Sequence, residues 1–114
     1  MLDEADVPSA DKDIGLLLRQ AMDKVAFLPF GLMVDRYRWQ LFDGTIPADQ
    51  LNKGWNDLRL EYQGIVPPVE RDESGFDAGA KYHIPGNVPY TRYFLARILQ
   101  FQFFKAACDQ AGWE

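Results

Sequence analysis

The stretch KYHIPGNVPYTRYF, residues 81–94, sets the organisation of the whole chain, because in it an irregular loop runs straight into an apolar helix. Pro85 and Pro89 have a fixed φ and no N–H to donate, which keeps the residues before Tyr90 out of regular structure. Gly86 and Asn87, between the prolines, tolerate a left-handed turn. Lys81, His83, Tyr90, Arg92 and Tyr93 all fall inside this run. Such a loop presents a cation, an imidazole and two phenols, the donors needed to hold a carboxylate and polarise a carbonyl. The residues alone also allow a plainer reading, in which Tyr90, Tyr93 and Phe94 begin a buried helix while Lys81 and Arg92 are solvated.

Downstream, Tyr90 to about Ala111 reads as a helix that is apolar on nearly every side, with Phe94, Leu95, Ile98, Leu99, Phe101, Phe103 and Phe104. A helix of that kind is buried in something larger than itself. Upstream, residues 65–89 hold Pro67, Pro68, Pro85 and Pro89 with several glycines, which predicts a long loop of the length usually kept for function. Before it, Thr45 is a plausible cap and Pro47 suits an early helical position. Leu51, Trp55, Leu58 and Tyr62 mark one helical face, and Gly64 ends it. The first helix has Ser9 or Asp11 as a cap, and Asp11 and Asp13 suit the positive end of its dipole. Ile14, Leu17, Leu18, Ala21, Val25 and Leu28 follow the spacing of one buried face. Pro29 interrupts this pattern and predicts a kink; helical pattern resumes at Leu32 and stops at Asp43-Gly44. No period-2 alternation occurs, so the expected fold is all-α: a polar, frayed leader over 1–10, then a single helical segment over 11–114.

Composition narrows the function. The chain has 114 residues, enough for one domain or part of one. Twelve basic residues against 17 acidic ones, a net charge of −5, argue against non-specific nucleic-acid binding, which needs a basic stripe. No apolar run approaches the roughly 20 residues of a membrane span. The first residues lack a signal-peptide core. A single cysteine, Cys108, cannot form an internal disulfide. Paired with His83 it makes neither a zinc site, which needs three or four ligands, nor an oriented nucleophile.

Several blocks in order carry a family resemblance: MDKVAFLPFGLMVDRYRWQLFDGTI (22–46), WNDLRLEYQG (55–64), FDAGAKYHIP (76–85), VPYTRYF (88–94) and FQF (101–103). Over about Asp11 to Gly112 the chain resembles the late part of the catalytic domain of the angiotensin-converting enzyme family, zinc peptidyl-dipeptidases, in a bacterial-type version. That family carries a His-Glu-x-x-His helix, in which two histidines hold zinc and the glutamate activates water. With one histidine this chain cannot contain the motif, so the resemblance places the zinc helix before Met1 and further helices after Glu114. The chain itself is expected to be inactive alone and to hold no metal ligand.

The resemblance implies roles residue by residue. Lys81 and Tyr90 match the pair that grips the peptide's C-terminal carboxylate, His83 a histidine that bonds a substrate carbonyl, and Tyr93 the tyrosine that stabilises the oxyanion. Arg92 matches a chloride ligand, as do Trp55 and Arg59, which one helical turn places on a shared face. Phe27, with Asp23 and Lys24, matches the wall of the pocket for the substrate's last side chain. Without the resemblance, Phe27 reads as core packing, Asp23 and Lys24 as solvated charges, and Trp55 beside Arg59 as a core tryptophan with a surface arginine. Cys108 matches a cysteine that in many relatives pairs further downstream.

Departures are Tyr82 for the usual phenylalanine, Gly86-Asn87 for two serines, and Asn56 for a second tryptophan. The resemblance thus implies part of an extracytoplasmic, zinc- and chloride-dependent enzyme that releases C-terminal dipeptides from peptides. The rival reading is a non-catalytic helical module that binds peptides or protein partners. In either case, the uncovered third helix is expected to make the chain self-associate.

Overall fold

The structure, a computed structural model, describes residues 9–113. Three helices carry it: α1 (Asp13–Phe42), α2 (Leu51–Gln63) and α3 (Thr91–Ala111), with no strand among the described residues. The all-α expectation is met. Of the leader expected over 1–10, all but Ser9 and Ala10 lies outside the described residues.

A short 3₁₀ turn, Ala10–Lys12, leads into α1, and neither Ser9 nor Asp11 provides a side-chain cap. The helix then runs as one element through Pro29. Proline inside a helix costs roughly 3 kcal/mol. Just beyond it Met33, Val34 and Tyr37 are fully buried, each contributing about 1.5–3 kcal/mol. Packing outweighs the lost hydrogen bond. The expected buried face at the start of α1 is also corrected: Ile14 is 80% exposed, and Leu17, Leu18 and Val25 are exposed as well. The apolar stripe exists, but among the described residues only its end near Leu28 is partly covered, where α3 runs beside it.

The core gathers instead around the second half of α1. Met33, Val34 and Tyr37 meet Trp55 and Leu58 of α2, Ile46 of the connection, and Ala78, Ile84 and Tyr90 of the long loop. Tyr37 and Trp55 pack edge to face at 5.2 Å. The Tyr37 hydroxyl donates to the Leu51 carbonyl at 3.1 Å, and burial pushes the phenol up to about 12.

Helix α2 begins later than Thr45 and Pro47 suggested. Those residues form a turn in which the Thr45 N–H donates to the Asp43 carboxylate, and the helix starts at Leu51. Its cap comes from far along the chain. Glu73 accepts from the Asn52 and Lys53 N–H groups, both at 2.8 Å. The end is as expected: Gly64 sits at φ +67°, a left-handed stop that a side chain would strain.

The loop over 65–89 is not featureless. Asp77–Ala80 form a 3₁₀ turn, and Asn52 anchors its start. The Asn52 side chain donates to the Asp72 and Gly75 carbonyls (2.5 and 2.9 Å) and accepts from the Asp77 N–H at 2.7 Å.

Helix α3 contains no buried residue, and Phe104 is 70% exposed. The radius of gyration, 19.2 Å, far exceeds the roughly 13 Å of a compact domain of this length. The expected enclosure of this helix is absent in the chain taken by itself.

Candidate functional site

The site is built where the long loop becomes α3, and one buried carboxylate builds it. Asp35, 2% exposed on α1, accepts from the Tyr90 N–H at 2.8 Å, the Thr91 N–H at 2.7 Å and the Thr91 hydroxyl at 2.7 Å. It thereby satisfies N–H groups that the start of α3 would otherwise leave orphaned. Arg38, one turn on, donates to Asp35 at 2.6 Å and reaches Asn87 with its other arm. Asn87 stands at φ +50°, the left-handed turn its position suggested. Burial alone would raise the Asp35 carboxyl, but the bonds from Thr91, Arg38 and Tyr90 win and hold it below the usual carboxylate range.

With that anchor set, the aromatic and basic groups converge. Lys81 to Val88 fold as a succession of tight turns that drop Ile84 into the core. His83 packs edge-on to Tyr90 at 4.6 Å and to Tyr93 at 5.6 Å, and its Nε2 lies 3.5 Å from the Tyr93 hydroxyl. The His83 Nδ1 is buried without a partner among the described residues. Burial first, then the charges of Lys81, Arg92 and Arg38, lower its pKa and favour the neutral ring at pH 7. The Lys81 ammonium sits 4.5 Å over the Tyr90 ring and 5.4 Å over Phe30. Lys81, His83, Tyr90 and Tyr93 therefore form one cluster.

Phe27 joins that cluster through α1: its ring lies 6.0 Å from Tyr90 and 6.4 Å from Phe30. Arg97 of α3 covers the Phe27 ring at 5.0 Å. Asp23 and Lys24, one turn earlier, pair with each other at 2.6 Å.

Trp55 and Arg59 lie elsewhere. They line a hollow of about 770 Å³ between α2 and the long loop, whose rim also includes Lys81, Phe30, Arg71 and Asp77. The Arg59 Nε is buried with no acceptor among the described residues. Arg71 is spent on Asp77, to which it binds through two nitrogens. Arg92 is not part of this hollow; its Nε donates to the Pro89 carbonyl at 3.1 Å.

Two positions that sequence reasoning passed over organise the site, Asp35 and Asn52. Their signal was weak: each is one polar residue in a helical run, and the loop groups it anchors lie 20 to 56 residues away. Among the described residues, no three His, Cys, Asp or Glu side chains gather so as to hold a metal ion.

A family model described as angiotensin-converting enzyme matches residues 1–114. The chain belongs to that family. Against the angiotensin-converting enzyme of Rattus norvegicus it is 50% identical over 102 residues, and against that of Sus scrofa 52% over 102, each covering 90% of this chain. The enzyme of Theromyzon tessulatum is 52% identical over 100 residues, covering 88% of the chain. This family segment spans only 8% of the length of the first two relatives and 16% of the third. None of its described helices is long and apolar enough to cross a membrane.

Two of the positions that depart from the usual angiotensin-converting enzyme pattern have structural work here. Asn87 holds Arg38, and Asn56 donates to the Asn52 carbonyl at 3.0 Å.

Proposed function

We propose that this chain is the substrate-side portion of a zinc- and chloride-dependent peptidyl-dipeptidase that acts on peptides outside the cytoplasm. The observation that carries the reading is the cluster of Lys81, His83, Tyr90 and Tyr93 at the start of α3, in a chain of this family. Lys81 and Tyr90 bind the C-terminal carboxylate of the peptide: an ammonium held over a phenol ring offers a fixed charge to an anionic terminus. His83, held neutral, keeps one ring N–H to donate to a substrate backbone carbonyl. The Tyr93 hydroxyl, beside it, donates to the oxygen on which negative charge develops as water adds to the scissile carbonyl.

Among the described residues no three His, Cys, Asp or Glu side chains gather to hold zinc, and in this reading the metal and the base that activates water come from other segments of the enzyme. An anion suits the residues of this chain better. The orphaned Nε of Arg59 beside Trp55 fits a chloride, and Arg92 near the cluster supplies a second cation for one. Fixed positive charge there strengthens the hold on anionic substrates.

Kinetics of the full-length peptidase test the assignment. Tyr93→Phe is expected to lower kcat by on the order of 10²–10³ with little change in KM, since an oxyanion donor acts mainly in the transition state. Lys81→Ala should instead raise KM strongly. Exchanged phenotypes would overturn the roles.

A further inference from the structure

We propose that Gly86 and Tyr82 are a matched pair of positioning residues for His83: the bare backbone at 86 lets the turn close tightly enough to set the Tyr82 ring against the imidazole. This rests on the reading above, in which His83 bonds a substrate carbonyl, and adds what aims its ring. His83 stands inside a tight turn. The Gly86 N–H donates to the Tyr82 carbonyl at 2.8 Å, and the Val88 N–H donates to the His83 carbonyl at 2.9 Å. A Cβ placed on Gly86 would lie 2.9 Å from the Tyr82 carbonyl oxygen, and 3.1 and 3.2 Å from the Cζ and Cε2 atoms of the Tyr82 ring. The ring can swing aside. The carbonyl cannot, because it belongs to the planar peptide that joins Tyr82 to His83.

Glycine is needed here for space and not for its backbone freedom, since Gly86 is not at positive φ. The far side of the turn is held fast. Asn87 is gripped by Arg38, which is 5% exposed and itself bonded to Asp35. A side chain at 86 therefore pushes toward Tyr82 and His83, the side free to yield. Tyr82 is 69% exposed, so no core fixes it. Its ring rests on Gly86 and stands edge-on to His83 at 5.7 Å, where Tyr90 and Tyr93 already bracket the imidazole. Both positions depart from the family pattern, Tyr82 for phenylalanine and Gly86 for a serine. A serine carries the Cβ that this turn excludes, so relatives with one must close the turn differently. The two departures act as one change.

Two readouts on the full-length peptidase test this: kcat/KM for a peptide substrate, and the NMR signal of the His83 ring in histidine-labelled protein, assigned by its loss in His83→Gln. Gly86→Ala is expected to shift the His83 signal and to lower kcat/KM about tenfold, less than the roughly 10²-fold that a 1 Å misplacement costs. Tyr82→Leu should also shift the signal and lower kcat/KM about threefold, the scale of a single aromatic contact. Tyr82→Phe keeps the ring and should stay within about twofold of wild type on the same scale. The double variant Gly86→Ala/Tyr82→Leu should be no slower than Gly86→Ala, because both act through one contact. Wild-type kcat/KM with an unmoved His83 signal in Gly86→Ala would overturn the proposal, as would independent, multiplying losses in the double variant. Should Gly86→Ala fail to fold, Tyr82→Leu decides: that side chain is exposed, so its loss spares the core, and an unmoved His83 signal there is fatal to the pairing. His83→Gln with wild-type kcat/KM would instead remove the substrate role of His83, while the ring signal in the other variants still judges what positions it.

Discussion

Replacing Asp35 with alanine should do more damage than any other single change to this chain. The substitution removes the acceptor of four hydrogen bonds, from Arg38, the Tyr90 N–H, and the Thr91 N–H and hydroxyl. It also leaves the Arg38 guanidinium, 5% exposed, with Asn87 as its remaining side-chain partner. Breaking a buried ion pair from one side costs about 3–5 kcal/mol. A whole domain is stable by roughly 5–15 kcal/mol, and a chain with so much apolar surface uncovered belongs near the lower end. Most of the folded population should therefore be lost. Asp35→Asn keeps the shape and one acceptor oxygen, and should cost about 2 kcal/mol. Urea unfolding followed by the near-ultraviolet signal of the tyrosines and tryptophans measures both. Proton NMR of the His83 ring reads whether Tyr90 and Tyr93 still pack on it. A loss below about 1 kcal/mol for Asp35→Ala, or unchanged His83 shifts, would refute the view that this carboxylate builds the site. Acid gives a second check. Because the folded carboxyl lies below the ordinary 3.8, its contribution is complete above that pH and disappears as pH falls through the lower folded value.

Three further outcomes are expected. Asn52→Ala should cost about 2–3 kcal/mol and speed amide exchange at Asp77 in particular, because one buried side chain makes three bonds to the loop there; unchanged exchange at Asp77 would count against the anchor. His83 should give stability an earlier acid limb. Its pKa is lowered in the fold, so the neutral ring's contribution is full above 6.5 and falls as pH drops below it; a pH titration of stability should show this limb flattened in His83→Gln. The 114-residue chain should self-associate at micromolar concentration through Leu95, Ile98, Phe101 and Phe104, since several hundred Å² of exposed apolar surface at about 25 cal/mol per Å² rivals the stability of the fold; sedimentation as a compact monomer that binds no hydrophobic dye would contradict it.

Local chemistry in the sequence was legible wherever it acts over one or two turns. Gly64 and the Leu51, Trp55, Leu58, Tyr62 face identified α2 and its end, and Pro85 and Pro89 identified the irregular run before Tyr90. What was misread depended on distance along the chain. Thr45 looked like a cap because Glu73, the group that caps α2, lies 21 residues after Asn52. The stripe from Ile14 to Leu28 showed that a face is apolar, but not whether anything covers it. For the site, family blocks picked out Lys81, His83, Tyr90 and Tyr93, which do cluster; they did not show that Arg92 points to a backbone carbonyl away from the Trp55–Arg59 hollow.

The exchange between α2 and the long loop has a consequence for how the chain folds. Glu73 supplies the cap of α2, and Asn52, in that helix's first turn, supplies the cap of the 3₁₀ turn at Asp77. Neither end is complete until the other has formed. The first turn of a helix is its slow, unfavourable step, and closing a loop of some 20 residues carries its own entropic barrier. Joined in this way, the two barriers become one event, crossed when residues 52 and 73 meet. Mutations at Asn52 or Glu73 should then slow folding more than they speed unfolding, the mark of a nucleus.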